Sequence, residues 1–194
     1  MRRRDHPPAC PLPDCLLAQV GGIQGRDVIG ALPSMPDVVR YSESDLRRIF
    51  GENVPPGAAE LLGVELPREA DVFFEAYPAE RVGLLAEFPG RLAVGRAWHG
   101  VCEVHIDLSD GSLWSVVAAD GGSAEVVFMN SDIKRFAIFL RRVHGMAVLA
   151  EMEEGPRYHE RAEAVRRELA QVDEAATRAG AWWAGIIEEM VAMV

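Results

Sequence analysis

The chain has 194 residues, room for one domain of ordinary size and an appendage, and 49% of them are hydrophobic, enough to bury a core and exclude global disorder. Its 20 basic and 30 acidic side chains give a formal charge of −10, which argues against nucleic-acid binding, where affinity rests on neutralising phosphates, and favours basic partners. No apolar run approaches the length of a membrane span, and the prolines behind Arg2, Arg3 and Arg4 interrupt any secretory leader, so a cytoplasmic location is expected.

Residues 1–34 are rich in proline and glycine and read as a loose arm, with Met35 as an alternative natural start. Cys10 and Cys15 lie in this arm near His6, but no second ligand pair follows, so no metal is expected there. With Cys102 the cysteines number 3, which does not suggest a disulfide framework.

From Tyr41 the texture changes. "SESDLRRIFG" predicts a short helix: Ser42 caps, Asp45 supplies the acid of a capping box, and Gly51 ends it. "PPGAAELLGVELP" predicts a further helical turn or two before Pro67. "ADVFFEAYP" reads as an aromatic strand. Extended segments follow at 91–98, 101–111, 112–122 and 124–130. In the second, Cys102, Val104, Ile106 and Leu108 alternate with Glu103, His105 and Asp107, which predicts one buried and one wetter face. "SDG" at 109–111 is a turn of the kind that joins antiparallel strands. Strands grouped together and helices grouped together predict an α+β fold, a sheet of about four to six strands packed with helices over residues 35–150.

The run "FMNSDIKRFAIFLRRV" predicts a strand end, a cap at Asn130 or Ser131, and a helix. Asp132 suits the positive end of its dipole. Ile133, Phe136, Leu140, Val143 and Ala147 share the face expected to lie on the sheet. On the opposite arc Ile138 sits among Lys134, Arg135, Arg141 and Arg142. It either docks against the acidic tail or belongs to a partner surface.

In the C-terminal extension, 156–194, Pro156 suits a first helical position. From Tyr158 through Ala162, Val165, Leu169, Val172, Ala176, Ala179, Trp183, Ile186 and Met190 to Met193, small and apolar residues recur at steps of four and three. A continuous amphipathic helix would span roughly 57 Å, against about 30 Å for the domain. The tail must therefore project, fold back near Gly180, or pair with a second chain; a homodimer through this seam is one expected assembly.

Placed in this order, the segments resemble the SUKH superfamily of bacterial immunity proteins, most closely the group numbered four, common in actinobacteria. The resemblance covers about residues 35–150. It is carried by "LLGVELP" (61–67), "RLAVG" (91–95), "CEVHIDLSDGSLW" (102–114) and "VVFMNSDIKRFAIFL" (126–140), where Phe136, Phe139 and Leu140 fall on the family's aromatic helix pattern. "GVELP" stands where Gly-Leu-Pro is usual. The resemblance implies an α+β domain without catalysis that binds and neutralises a toxin domain, often a nuclease or deaminase. Some superfamily members instead serve as intracellular scaffolds or regulators.

On the residues themselves, Glu103, His105 and Asp107 offer an acid–base or metal trio, against the plainer reading of a solvated sheet face, which is preferred since no nucleophile motif or further ligand accompanies them. No cofactor is expected: "GGIQG" lacks the strand and the GK[ST] of a phosphate cradle. For partner binding the candidates are the acids Glu60, Glu65, Glu69, Asp71 and Glu75, which would steer a basic toxin, the loop pair Trp98 and His99, Ile138, and Trp182 beside the seam.

Overall fold

The computed structural model describes residues 37–118, 124–151 and 155–192. The chain divides into two units, residues 1–31 and 32–194, and every described residue belongs to the second. The expected N-terminal arm, with Cys10 and Cys15, lies outside the described residues.

The elements in order are β1 (Val38–Val39), α1 (Glu43–Phe50), α2 (Pro56–Ala59), β2 (Leu66–Pro67), β3 (Glu69–Ala70), β4 (Phe74–Ala76), β5 (Gly83–Leu84), β6 (Arg91–Ala97), β7 (Cys102–Asp107), β8 (Leu113–Ala118), β9 (Ala124–Asn130), α3 (Ile133–Ala150), α4 (Pro156–Val172) and α5 (Trp182–Ala192). β1 and β2 form a small antiparallel pair. The main sheet runs β3-β4-β6-β7-β8-β9, with β5 also on β6, and its pairings are antiparallel. This is the expected α+β fold, helices on a sheet.

Local chemistry explains the boundaries. The α1 capping box forms as its sequence dictates: Asp45 N–H bonds back to the Ser42 side chain, and the Asp45 carboxylate accepts from Ser42 N–H at 2.9 Å. The β7–β8 turn is held by Asp107, which accepts from Ser109 N–H at 2.9 Å, while Ser112 N–H donates to Asp110 at 2.9 Å. Gly95 on β6 lies under β4: a Cβ there would meet the Phe74 ring and the Glu75 carbonyl. That close approach accounts for the glycine that ends "RLAVG".

Register assigns the faces. Ala93, His105, Trp114 and Phe128 stand opposite one another on one face. The other face carries Leu92, Val104, Ile106, Leu113 and Met129, all fully buried. α3 lies on that apolar face, with Phe136 edge-on to Phe74 at 5.0 Å. Cys102 is buried on the same side, as its alternation implied.

The cap of α3 differs from expectation. Asp132, not Asn130 or Ser131, takes the position, accepting from Arg135 N–H at 2.8 Å. The two residues before it are engaged elsewhere. Asp173, only 5% exposed at the end of α4, accepts from Asn130 Nδ2 (3.2 Å), Ser131 N–H (2.7 Å) and Ser131 Oγ (3.0 Å). Asn130 Oδ1 in turn accepts from Trp183 Nε1 at 2.8 Å. The Asn-Ser-Asp run is therefore both a cap and a latch for the tail.

The tail is not one helix. α4 ends at Val172, a 3-10 turn spans Ala175–Thr177, and Gly180 (φ 88) precedes α5, so the chain folds back where glycine allows it. The seam is used within the chain: Tyr158, Ala162, Leu169, Ala176, Trp183, Ile186 and Met190 are buried, while Ala179 is exposed. Trp183 packs its ring on Phe136 and Phe139. α3 is thus sandwiched between sheet and tail, which explains why it is apolar almost all round.

Candidate functional site

Three described residues other than glycine adopt left-handed backbone: Asp71 (φ 49), Trp98 (φ 50) and His99 (φ 53). A bulky residue in this region is an outlier, costing about 1–3 kcal/mol, and such strain clusters at functional sites. All three lie on two neighbouring loops at one end of the sheet. Trp98 N–H bonds to the Val72 carbonyl at 2.8 Å and ties the loops together. The Trp98 ring packs on Phe73 (5.9 Å between centroids) and on Trp182 (5.2 Å).

Above this base is a shallow cleft lined by Glu69, Asp71, Val72, Phe74, Glu75, Arg96, His99 and Gly100. Glu75 faces Arg96 across β4 and β6, with Arg96 Nε 2.7 Å and Nη2 2.6 Å from its Oε2. Glu69 and Asp71 are exposed and form no ion pair among the described residues. Asp71 also acts on α3: burial lowers the His144 pKa, while the Asp71 charge pulls it back up. His99 is exposed, and Val101 beside it, at 64%, is an apolar side chain left in water.

The fold therefore gathers Glu69, Asp71, Glu75, Trp98, His99 and Trp182 from separate parts of the sequence. It does not give them equal access. Trp98 and Trp182 are each only 8% exposed and support the loop from below. The remaining candidates lie elsewhere: Glu60 pairs with Lys134 at 3.1 Å, Glu65 pairs with Arg40, and Ile138 is half-buried on α3. On the same helix Arg142 donates to Glu168 of α4 at 2.8 Å, so the acidic tail does meet the basic arc. Arg96 and Val101 were not singled out from sequence; the Trp-His-Gly step after a strand is their nearest signal.

The Glu103–His105–Asp107 face is not the evenly wet surface that alternation predicts. His105 has 0% exposure, with the Phe88 ring 5.6 Å away and Trp114 its cross-strand neighbour. Glu103 accepts from Tyr77 Oη at 3.1 Å, and burial raises the Tyr77 pKa. Asp107 is held below the usual carboxylate range by its hydrogen bonds from Ser109. Glu103 and His105 approach each other, Nε2 to Oε2 at 3.5 Å, while Asp107 turns to the hairpin. Among the described residues no group of three or more His, Cys, Asp or Glu is placed to hold a metal ion, and no helix is long and apolar enough to cross a membrane.

Comparison with known families decides the identity of this domain. The family described as SUKH-4 immunity protein matches residues 16–189. The chain belongs to the SUKH-4 immunity protein family. The match takes in α4 and most of α5, beyond the 35–150 over which motifs are legible, so the latched tail lies within the family region. No curated protein and no solved structure matches the chain significantly.

Proposed function

We propose that this SUKH-4 protein acts without catalysis, by binding a cognate toxin domain of the nuclease or deaminase type and blocking it. The observation that carries the reading is the family match across residues 16–189, a family named for immunity. The charge of −10 supports a basic partner, because complementary charge speeds association.

The partner surface we propose is the cleft and its rim. Two carboxylates that form no ion pair among the described residues, Glu69 and Asp71, stand beside exposed His99 and Val101 on loops braced by Trp98 and Trp182. A rigid base lowers the ordering cost of binding, and an apolar side chain beside charged groups is the composition of an interface. Glu60, Glu65 and Ile138 lie away from this cleft and have no part in the proposed contact.

Co-expression with the toxin encoded in an adjacent reading frame tests this function. The chain should restore growth, and Glu69→Lys with Asp71→Lys should weaken protection while the protein stays folded. If every candidate toxin kills equally with and without the chain, the reading fails.

A further inference from the structure

The unusual group on the outer sheet face is His105. It is completely buried, and neither ring nitrogen has a hydrogen-bond partner among the described residues. Its approach to a charge is Nε2 to Glu103 Oε2, at 3.5 Å. A buried polar group without a partner is normally destabilising, so closing this face over a histidine is an unfavourable arrangement.

What closes over it is slight. Residues 85–90 form the tip of an excursion between β5 and β6, and Ala86, Glu87, Pro89 and Gly90 are exposed. The tip lays the half-buried Phe88 ring by His105 and is anchored at its base: Leu85 N–H donates to the Arg91 carbonyl (3.2 Å), Arg91 N–H to Phe88 (3.1 Å), and Leu108 N–H to Gly90 (2.9 Å).

We propose that residues 85–90 are a proton-sensitive strap: it is closed while His105 is neutral, and protonation of His105 releases Phe88 from the sheet so that the imidazolium reaches water. The groups facing the ring from each neighbouring element fix the sign. From β7, Glu103 attracts a proton through its charge and its Oε2, while its Oε1 accepts from Tyr77 Oη; Asp107 is two residues on and bound to Ser109. From β6, Arg91 repels a proton; its guanidinium lies over the Trp114 and Phe88 rings, and its buried Nη1 has no hydrogen-bond partner among the described residues. From β8 and the strap come the rings of Trp114 and Phe88, which carry no charge. Burial dominates and lowers the His105 pKa. The closed state takes up the proton less readily than the open one, so closure is complete above the ordinary histidine value of about 6.5 and weakens as pH falls below it. This device is separate from the toxin reading and stands or falls without it.

Amide hydrogen exchange of the full-length chain between pH 8 and pH 5, corrected for intrinsic rates, tests it. The amides of Leu85, Arg91 and Leu108, which donate to the Arg91, Phe88 and Gly90 carbonyls, should lose protection below about pH 6.5. The limit for one proton is about tenfold per pH unit. Core amides such as Ile106 should hold steady. His105→Phe should abolish the pH dependence at these amides; His105→Gln serves the same purpose if that variant does not fold. Flat protection in the wild type, the same pH profile in a folded neutral variant, or parallel loss at core amides would overturn the proposal.

Discussion

Removal of the Asp173 carboxylate is the sharpest perturbation of the architecture. In Asp173→Ala, Asn130 Nδ2, Ser131 N–H and Ser131 Oγ lose their acceptor together. Asn130 is fully buried, so its stranded amide should cost about 1–3 kcal/mol. Ser131 is half-buried and can recover water, so its two bonds contribute roughly 0.5–1 kcal/mol each. The sum is about 2–5 kcal/mol, a large share of a typical stability of about 5–15 kcal/mol. Urea unfolding followed by tryptophan fluorescence would measure it, with the midpoint falling and the slope unchanged. Trp183→Phe keeps an aromatic ring but strands Asn130 Oδ1, at about 1–3 kcal/mol. Because both changes act on Asn130, their effects should couple by at least ~0.5 kcal/mol. A loss under ~1 kcal/mol for Asp173→Ala, or strict additivity with Trp183→Phe, would refute the latch.

Other consequences are equally open to measurement. Gly95→Ala should cost about 1–3 kcal/mol, since the new methyl collides with Phe74 and the Glu75 carbonyl; an unchanged urea midpoint would contradict the close approach. His99→Gly relieves left-handed backbone at an exposed site and should raise stability by up to ~1 kcal/mol while weakening toxin binding, so that calorimetry and binding move in opposite directions. Acid should destabilise the fold in two stages. His105 and His144 have lowered pKa values, so their contributions are intact above about 6.5 and fade below it. Asp45 and Asp107 are also lowered, by hydrogen bonds from Ser42 and Ser109, so theirs persist to about pH 4 and are lost under it. A urea midpoint that is flat from pH 8 to pH 5 would contradict the first stage.

The sequence spoke clearly where one segment determines its own conformation. The two ends of α1 need only Ser42, Asp45 and Gly51, and the β7–β8 hairpin only its Asp-Gly turn. The glycine of "RLAVG" also stands out by residue type, although its reason, the close approach to Phe74, lies on another strand. Periodicity located the apolar seam of the tail but not its partner, because a heptad pattern serves a second chain and a folded-back helix alike; Asp173 and Gly180 decide for folding back. Alternation placed Cys102 correctly and misjudged His105, because the cover over the outer face comes from Phe88, far along the chain. The cleft was only partly legible for the same reason. Its acids and the Trp98-His99 pair stood out as residue types, but their meeting depends on strained loops and a β4–β6 register that no local pattern records.

Direct titration of purified toxin domain into the purified chain, with toxin activity read in the same samples, tests the central claim most closely. The account predicts saturable one-to-one binding that abolishes toxin activity, with Glu69→Lys and Asp71→Lys slowing association most strongly at low salt. A toxin that stays fully active in saturating amounts of the folded chain would contradict it.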